Sequence, residues 1–352
     1  MRAILIERQA PKGPVSPNIR CVEDWPEPGA PGRGEVLLRS EFTALNRMDL
    51  WVGMGIPGVE LAYPHISGCD AVARVDGVGE GVDAAWRGRR VVVNAAVEQA
   101  PRLSPDEPPP SASAPDYQLI GEHTHGTHRE LFLAPVTQIA DIGEVDGPKA
   151  AAFGLTALTA YGMMVGKGRL RPGQSVLITG IGGGVATAAL GLARHHGCRI
   201  AVSSRHRAKL EKAVALGAEC TILDAGQDWS GEIREWTHKR GVDMVVDTVG
   251  QAIHLPCVKS LARGGAFVTA GATSGSRATT DLARLFWNQL RILGSTMGSR
   301  AEFLEVVSLL RCGAVEPVID SVRSWEQAKD AWERLEAAEQ MGKLVLSWED
   351  GL

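Results

Sequence analysis

Apolar positions in the first 146 residues come in short runs cut by Gly and Pro: "RAILIE", "GEVLLRSEFTAL", "AVARVDGVG", "RRVVVNAA" and "RELFLAP". Runs of this length, bounded by turn formers, predict a compact and mostly antiparallel set of strands. The stretch "EQAPRLSPDEPPPSASAPD" (98–116) breaks the pattern, being crowded with Pro, Ser and Ala. Such a composition buries little and predicts an exposed, poorly ordered, protease-sensitive lobe.

From about residue 147 the rhythm changes. "SVLITG" reads as a buried strand, "VATAALGLARHHG" as a helix, "RIAVSS" as a strand, "RHRAKLEKAVALGA" as a helix and "CTILD" as a strand. "VDMVVDTVG", "GGAFVTAGA" and "LRILGSTM" follow as further strands. Strand and helix alternating at this spacing predict βαβ units around a parallel sheet. The last stretch, "PVIDSVRSWEQAKDAWERLEAAEQMGKLVLSW", reads as a helix bracketed by two strands that rejoin the first domain. The expected fold is therefore α/β in two domains: 1–146 with 300–352, and 147–299, with a ligand cleft at their junction.

Composition narrows the class. A chain of 352 residues, 44% hydrophobic and 22% charged, fits two globular domains with real cores. The net charge of −4 supplies no basic field for nucleic acid and no polybasic patch for a membrane. No apolar run approaches a membrane span, and "MRAILIERQA" reads as a first strand rather than a signal peptide. The six cysteines are scattered without a C-x-x-C, against a disulfide framework and a cysteine-built zinc ribbon. The expectation is a cytoplasmic protein acting on a small molecule.

"SVLITG" runs through "IGGGVA" directly into a helix, so Gly180, Gly183 and Ala186 form a G-x-x-G-x-x-A pattern. Gly180 permits the turn, Gly183 lets backbone N–H groups reach a pyrophosphate, and the small Ala186 lets helix and strand pack closely. Gly184 and Val185 complete the loop, whose helix N-terminus faces negative charge. The bland alternative is a mere glycine-rich strand-to-helix turn. An NAD site would place Asp or Glu at the end of the second strand to accept the ribose hydroxyls. Here stand Ser203, Ser204, Arg205, His206 and Arg207, with Lys209 close behind. Hydroxyls and a guanidinium suit a 2′-phosphate, and cations at a helix start oppose the helix dipole. The expected cofactor is NADP(H), bound through Ser204, Arg205 and Lys209.

Together with "LNRMDLW", "GCDAVARVDGVGEGV", "AAAFGLTALTAYG", "GVDMVVDTVG", "SLARGGAFVTAGATSG" and "MGKLVL", these stretches resemble the medium-chain dehydrogenase/reductase family over nearly the whole chain. The resemblance implies a GroES-like, mostly-β catalytic domain, a Rossmann domain with a doubly wound parallel sheet, and a homodimer built through the edge strand near "LRILGSTM". The family's three catalytic zinc ligands fall on Asn46, on Cys69 (followed by Asp70) and at about Leu155. Its four-cysteine structural site falls on the Pro-rich lobe, which has no cysteine. Catalytic zinc needs three N, S or O donors and an open position, so no zinc is expected at either place. Position by position, the resemblance also implies Asn46 and Asp49 in the catalytic site, the amide donating to substrate or nicotinamide and the carboxylate bracing the loop. Trp51 and Met48 can wall that site or simply pack. Thr159, Thr248, Val249 and the "AGAT" turn with Gly271 and Ala272 match positions beside the cofactor.

The cluster "EHTHGTH" leaves two readings open. On a strand, His123 and His125 would share a face and offer a metal pair; the alternative is a polar turn. Without a metal, carbonyl chemistry lacks its charge stabiliser, whereas an enone or quinone spreads the charge onto a distant oxygen that a few donors can meet. The leading expectation is a zinc-independent, NADPH-dependent reductase of activated C=C bonds or quinones. Alcohol or aldehyde oxidoreduction, and non-catalytic NADPH binding, remain alternatives.

Overall fold

The computed structural model describes residues 1–98 and 117–349. The Pro-rich lobe therefore lies, apart from Glu98, outside the described residues. Contacts divide the chain into two compact units: Met1–Leu155 with Ser299–Gly313 and Pro317–Leu352, and Thr156–Gly298 with Ala314–Glu316.

In the first unit, β1 (Ala3–Ile6) and β2 (Ile19–Val22) form an antiparallel ribbon. Then come β3 (Glu35–Ala44), α1 (Arg47–Met54), β4 (Asp70–Val78), β5 (Arg90–Val93), β6 (Ala96–Glu98), β7 (Tyr117–Leu119), β8 (Leu131–Pro135) and β9 (Ile139–Asp141). α2 (Gly147–Tyr161) follows, and the boundary between the units falls inside this helix, where the sequence reading drew it at the helix start.

The second unit holds β10 (Ser175–Ile178), α3 (Gly184–His195), β11 (Arg199–Ser204), α4 (Arg207–Ala215), β12 (Cys220–Leu223) and α5 (Ser230–Trp236). It continues through β13 (Val242–Asp247), α6 (His254–Ser260), β14 (Leu261–Thr269), α7 (Leu282–Trp287) and β15 (Arg291–Gly294). Its strands run in the order β12-β11-β10-β13-β14-β15, all parallel. The order reverses between β10 and β13, the point where doubly wound sheets bind ligands. All four residues of β10 are buried, as a central strand covered on both faces requires. At the opposite extreme, β15 is an edge strand, with Ile292 exposed; Leu282, Phe286 and Trp287 on α7 are 69%, 70% and 72% exposed.

The chain then gives α8 (Arg300–Arg311), β16 (Ile319–Ser324), α9 (Ala328–Glu336) and β17 (Lys343–Ser347). β16 and β17 extend the first unit's sheet, in the order β16-β17-β3-β4-β5-β9. Only β16 and β17 pair in parallel; the other pairings in this sheet are antiparallel, as the short runs suggested. β3 is its spine. The first half of β3 pairs β8 and its last residues pair β17, with Val345 opposite Ala44. On the other side Ala44 stands opposite Asp70 of β4. The end of β3 is thereby held between the head of β17 and the head of β4. Among the described residues, no helix is long and apolar enough to cross a membrane.

Candidate functional site

The glycine loop leaves β10 and enters α3 as expected. Gly180 has φ +62° and Gly182 φ +124°, the latter a conformation essentially closed to residues with a Cβ. Gly183 is the N-cap of α3, and no side chain caps that end. The first-turn N–H groups of a helix have no partner within it, so this end is suited to an anion. Ala186 is buried in α3, where the sequence reading put the close helix–strand contact. Lys209 lies across the loop: a Cβ at Gly182 would come within 2.6 Å of its Cδ and 3.0 Å of its Nζ. A cation thus rests beside the bend, although it belongs to the following helix.

β11 ends at Ser204, which is buried and accepts from the His206 N–H at 3.2 Å through Oγ. Beyond it Arg205, His206 and Arg207 are exposed. The first turn of α4 contains no acidic residue, and no carboxylate among the described residues pairs with Arg205 or Arg207. Two guanidinium groups stand here at the positive end of a helix dipole, an arrangement that favours an anionic ligand.

Two further loops are knitted together above the strand ends. Asp247, fully buried at the end of β13, accepts from Thr179 Oγ1 (2.6 Å), Val249 N (3.1 Å) and Gly250 N (3.0 Å), fixing the turn that carries Thr248 and Val249. Burial raises its carboxyl pKa despite those donors. Ser274 N donates to Val249 O and Thr273 Oγ1 to Thr248 O, tying in the turn of Gly271 and Ala272. A Cβ on Gly180 would meet Val249 Cγ2 at 2.8 Å, so Val249 sits directly on the glycine loop. Thr159 is buried on α2. Nothing in the sequence singled out Asp247, although an acidic residue closing a hydrophobic strand before T-V-G was a usable sign.

In the first unit, the positions aligned with metal ligands do converge, and a fourth side chain joins them. Asn46, N-terminal to α1, donates through Nδ2 to Asp70 Oδ2 (2.9 Å), and its remaining hydrogen faces Ala44 O (3.3 Å) and Cys69 Sγ (3.4 Å). Lys343 Nζ donates to Asn46 Oδ1 at 2.5 Å and to Asp70 Oδ2 at 2.9 Å. Leu155 contributes its backbone N–H to Asp70 Oδ1 at 2.7 Å, and Gly154 leaves room there, since a Cβ would come within 2.8 Å of that oxygen. Lys343 and Asp70 have side-chain exposures of 3% and 1%. The hydrogens of the Asn46 amide, expected to meet substrate or nicotinamide, are directed here to Asp70 and to Ala44 and Cys69. Burial, with Asp70 and Asp49 nearby, pushes the Cys69 thiol well above its usual range, which keeps it protonated.

Those residues do not fit a zinc ion. An ammonium already bridges Asn46 and Asp70, Asn46 is a neutral amide, and Leu155 brings no donor side chain. Among the described residues, no three His, Cys, Asp or Glu side chains gather as a metal site.

Asp49 does brace the loop, accepting from Asn46 N through Oδ2 at 2.6 Å. Its other oxygen faces His128 Nε2 at 3.5 Å, and both residues are fully buried. Burial raises the Asp49 pKa, but the charge and hydrogen bonding of His128, with the Asn46 N–H and Ser67, outweigh it and lower it overall. His128 Nδ1 lies 3.0 Å from Thr43 Oγ1, which accepts from Trp348 Nε1 at 3.0 Å. Trp51 is exposed at 37% on α1, whereas Met48 is buried and packs in the core.

The histidine cluster is a turn and not a strand, so the shared face expected for His123 and His125 is absent. His123 Nδ1 accepts from Leu119 N and His125 Nδ1 from Ile66 N, both at 3.2 Å. With His128 turned toward Asp49, the three rings serve three separate backbone and side-chain partners.

Residues 32–144 match the family described as alcohol dehydrogenase GroES-like domain, and residues 184–311 match zinc-binding dehydrogenase. A zinc-type alcohol dehydrogenase-like protein of Schizosaccharomyces pombe is 27% identical over 92% of this chain and 94% of its own. An NAD-dependent alcohol dehydrogenase of Sulfolobus acidocaldarius is 26% identical over 90% of this chain and 92% of its own. The crystal structure of an NAD-dependent alcohol dehydrogenase superposes with a TM-score of 0.90 at 34% identity, over 99% of this chain and 100% of the other.

Proposed function

The chain belongs to the medium-chain dehydrogenase/reductase superfamily of oxidoreductases, and from that premise we propose a zinc-independent, NADPH-dependent reductase of an activated C=C bond or a quinone. The observation that carries the reading is the Lys343 ammonium held by Asn46 and Asp70 at the place where a catalytic metal would need its ligands.

NADPH supplies the hydride when bound. Gly180, Gly182 and Gly183 leave room for its pyrophosphate against the end of α3, and Arg205 with Lys209 meets the 2′-phosphate, beside Ser204. Thr248, Val249, Gly271 and Ala272 border the nicotinamide, with Thr159. Asn46 and Asp49 act by holding the α1 entry in one conformation, and Trp51 offers an exposed aromatic face beside it. With no Lewis acid, the acceptor itself must delocalise the developing charge, which selects conjugated substrates over simple carbonyls.

The names of the relatives, zinc-type and NAD-dependent alcohol dehydrogenase, favour a second reading, alcohol or aldehyde oxidoreduction with NAD(H). The two part on two measurements made on one preparation. Metal analysis after dialysis should find far less than one zinc per chain, and a panel of enones, quinones and simple alcohols should show turnover of the first two with NADPH. Stoichiometric zinc with chelator-sensitive alcohol oxidation would establish the second reading instead. The exposed apolar face of α7 and the open edge of β15 support a homodimer joined there. The same preparation should sediment as a dimer, and Trp287→Asp should shift it toward monomer; an unchanged dimer would place the interface elsewhere.

A further inference from the structure

We propose that the groove between α8 and β9 binds an amphipathic carboxylate of the class of a medium-chain fatty acid. The groove lies wholly within the first unit and shares no residue with the glycine loop, the basic run after β11 or the Asn46 cluster.

Its volume is about 500 Å³, within the range of small-molecule sites. β9 is the last strand of its sheet and pairs only with β5. A further strand would lie about 4.8 Å away, but the edge is covered by a helix, which with its side chains is about 10 Å across and cannot follow it so closely. α8 turns Arg300, Leu304, Val307, Ser308 and Arg311 to the groove. Their spacing of i, i+4, i+7, i+8 and i+11 is one helical face. Ile139 and Ala140 of β9 line the other side, and Trp86, closing the turn Ala84–Trp86, adds an indole.

The middle of the groove is apolar and its open charge is positive. Among the described residues, Asp141 is the one acid that lines it, and both of its oxygens are engaged. Oδ2 accepts from Arg89 at 2.9 Å and Oδ1 from Gly143 N at 2.8 Å. The Arg89 guanidinium also lies 5.5 Å from the centre of the Trp86 ring, so one side chain steadies both walls. Arg300 donates to Thr137 O, and no carboxylate among the described residues pairs with Arg300 or Arg311. At 1.5 Å per residue the two stand about 16 Å apart along α8, one at each end of the apolar stretch. Separated cations suit a single carboxylate on an extended body better than a phosphate, which calls for converging donors. A neutral lipid would leave Arg311 without a partner. The acyl chain would cover Leu304, which is 46% exposed beside buried Val307.

Cys312 follows α8 in the wall of the groove and is the one exposed cysteine of the six. Burial pushes the half-buried Cys21 and Cys220 thiols up to about 11. Alkylation of Cys312 by iodoacetamide, located by peptide mass, therefore reports on this groove. Decanoate below its micellar range should slow that reaction about fivefold or more at saturation and bind one per chain by calorimetry, whereas decanol and acetate at the same concentration should leave it nearly unchanged. Arg311→Gln should weaken decanoate about three- to fivefold, as for a solvent-accessible ion pair. Leu304→Asp should weaken it more than about tenfold. Both replace exposed side chains, which keeps the fold intact. Alkylation unchanged by decanoate would overturn the site. Equal protection by decanol would overturn the role of the cation, and protection by 1-naphthoate without protection by decanoate would overturn the acyl assignment. Calorimetric binding that leaves Cys312 unprotected and survives Leu304→Asp would belong to another surface and overturn the proposal as well.

Discussion

In the parallel-sheet unit, the groups placed to meet an anion come from one continuous stretch, Gly180 to Lys209, and most of it is backbone. In the antiparallel unit, the Asn46 cluster draws on side chains from the entry of α1, the head of β4 and the head of β17, with Lys343 lying 273 residues beyond Asp70. The first arrangement leaves Arg205 and Arg207 exposed and without a carboxylate partner among the described residues. The second closes its charges on one another and excludes water. A glycine loop is open to a ligand because it is local and lacks side chains. A cluster assembled by strand register can be sealed, and this one is.

The comparison breaks most sharply at Lys343. Lys343→Met leaves the Asp70 carboxylate buried without its cation, which should cost about 3–5 kcal/mol of stability, whereas Asp70→Asn/Lys343→Met should recover much of it. Urea denaturation of the three proteins measures this. A loss below about 1 kcal/mol, the size typical of exposed ion pairs, would mean that the pair is not sealed after all.

On the open side, Arg205→Ala should weaken NADPH roughly ten- to a hundredfold and leave NADH nearly unchanged, since a charge-assisted contact is worth about 1.5–3 kcal/mol. Ser204→Asp should shift the preference further, by repelling the 2′-phosphate and accepting from the ribose. Nicotinamide fluorescence titrations at fixed salt decide it. Equal weakening of both cofactors by Arg205→Ala would reduce Arg205 to a solvated helix start.

The smallest effect concerns His125, beside the Asn46 unit's closed interior. Burial, aided by the charges of His65 and Arg129, lowers its pKa from 6.5 to about 4. The unfolded chain therefore binds more protons between those values, so the neutral ring's contribution is complete above pH 6.5 and is lost as pH falls toward 4. Denaturant midpoints measured from pH 7 to pH 4.5 should fall less steeply for His125→Gln, whose amide oxygen can still accept from Ile66 N. Parallel curves would show that His125 is not held neutral.

Much of the fold was legible because its signals are local. β10, α3, β11 and α4 follow from a buried run, a glycine bend and a helical repeat adjacent in sequence. The strand runs "RAILIE", "GEVLLRSEFTAL" and "RELFLAP" likewise became β1, β3 and β8. The histidine cluster was less legible: alternate spacing looks the same in a turn as in a strand until backbone pairing is known. Lys343 was not legible in "MGKLVL", since lysine is ordinarily exposed and the burial of all five residues of its strand emerges only in the fold.

The sequence by itself determined the two-part α/β architecture, the glycine loop before α3 and the basic run after β11. Each depends on backbone conformations and periodicities set within a few residues. Only the tertiary structure decided that Asn46 turns inward, that Asp49 faces His128, and that the Lys343 ammonium bridges Asn46 and Asp70. Those facts depend on which strands pair and in what register, and a shift of one residue would turn Lys343 to the other face of its sheet without altering any local pattern.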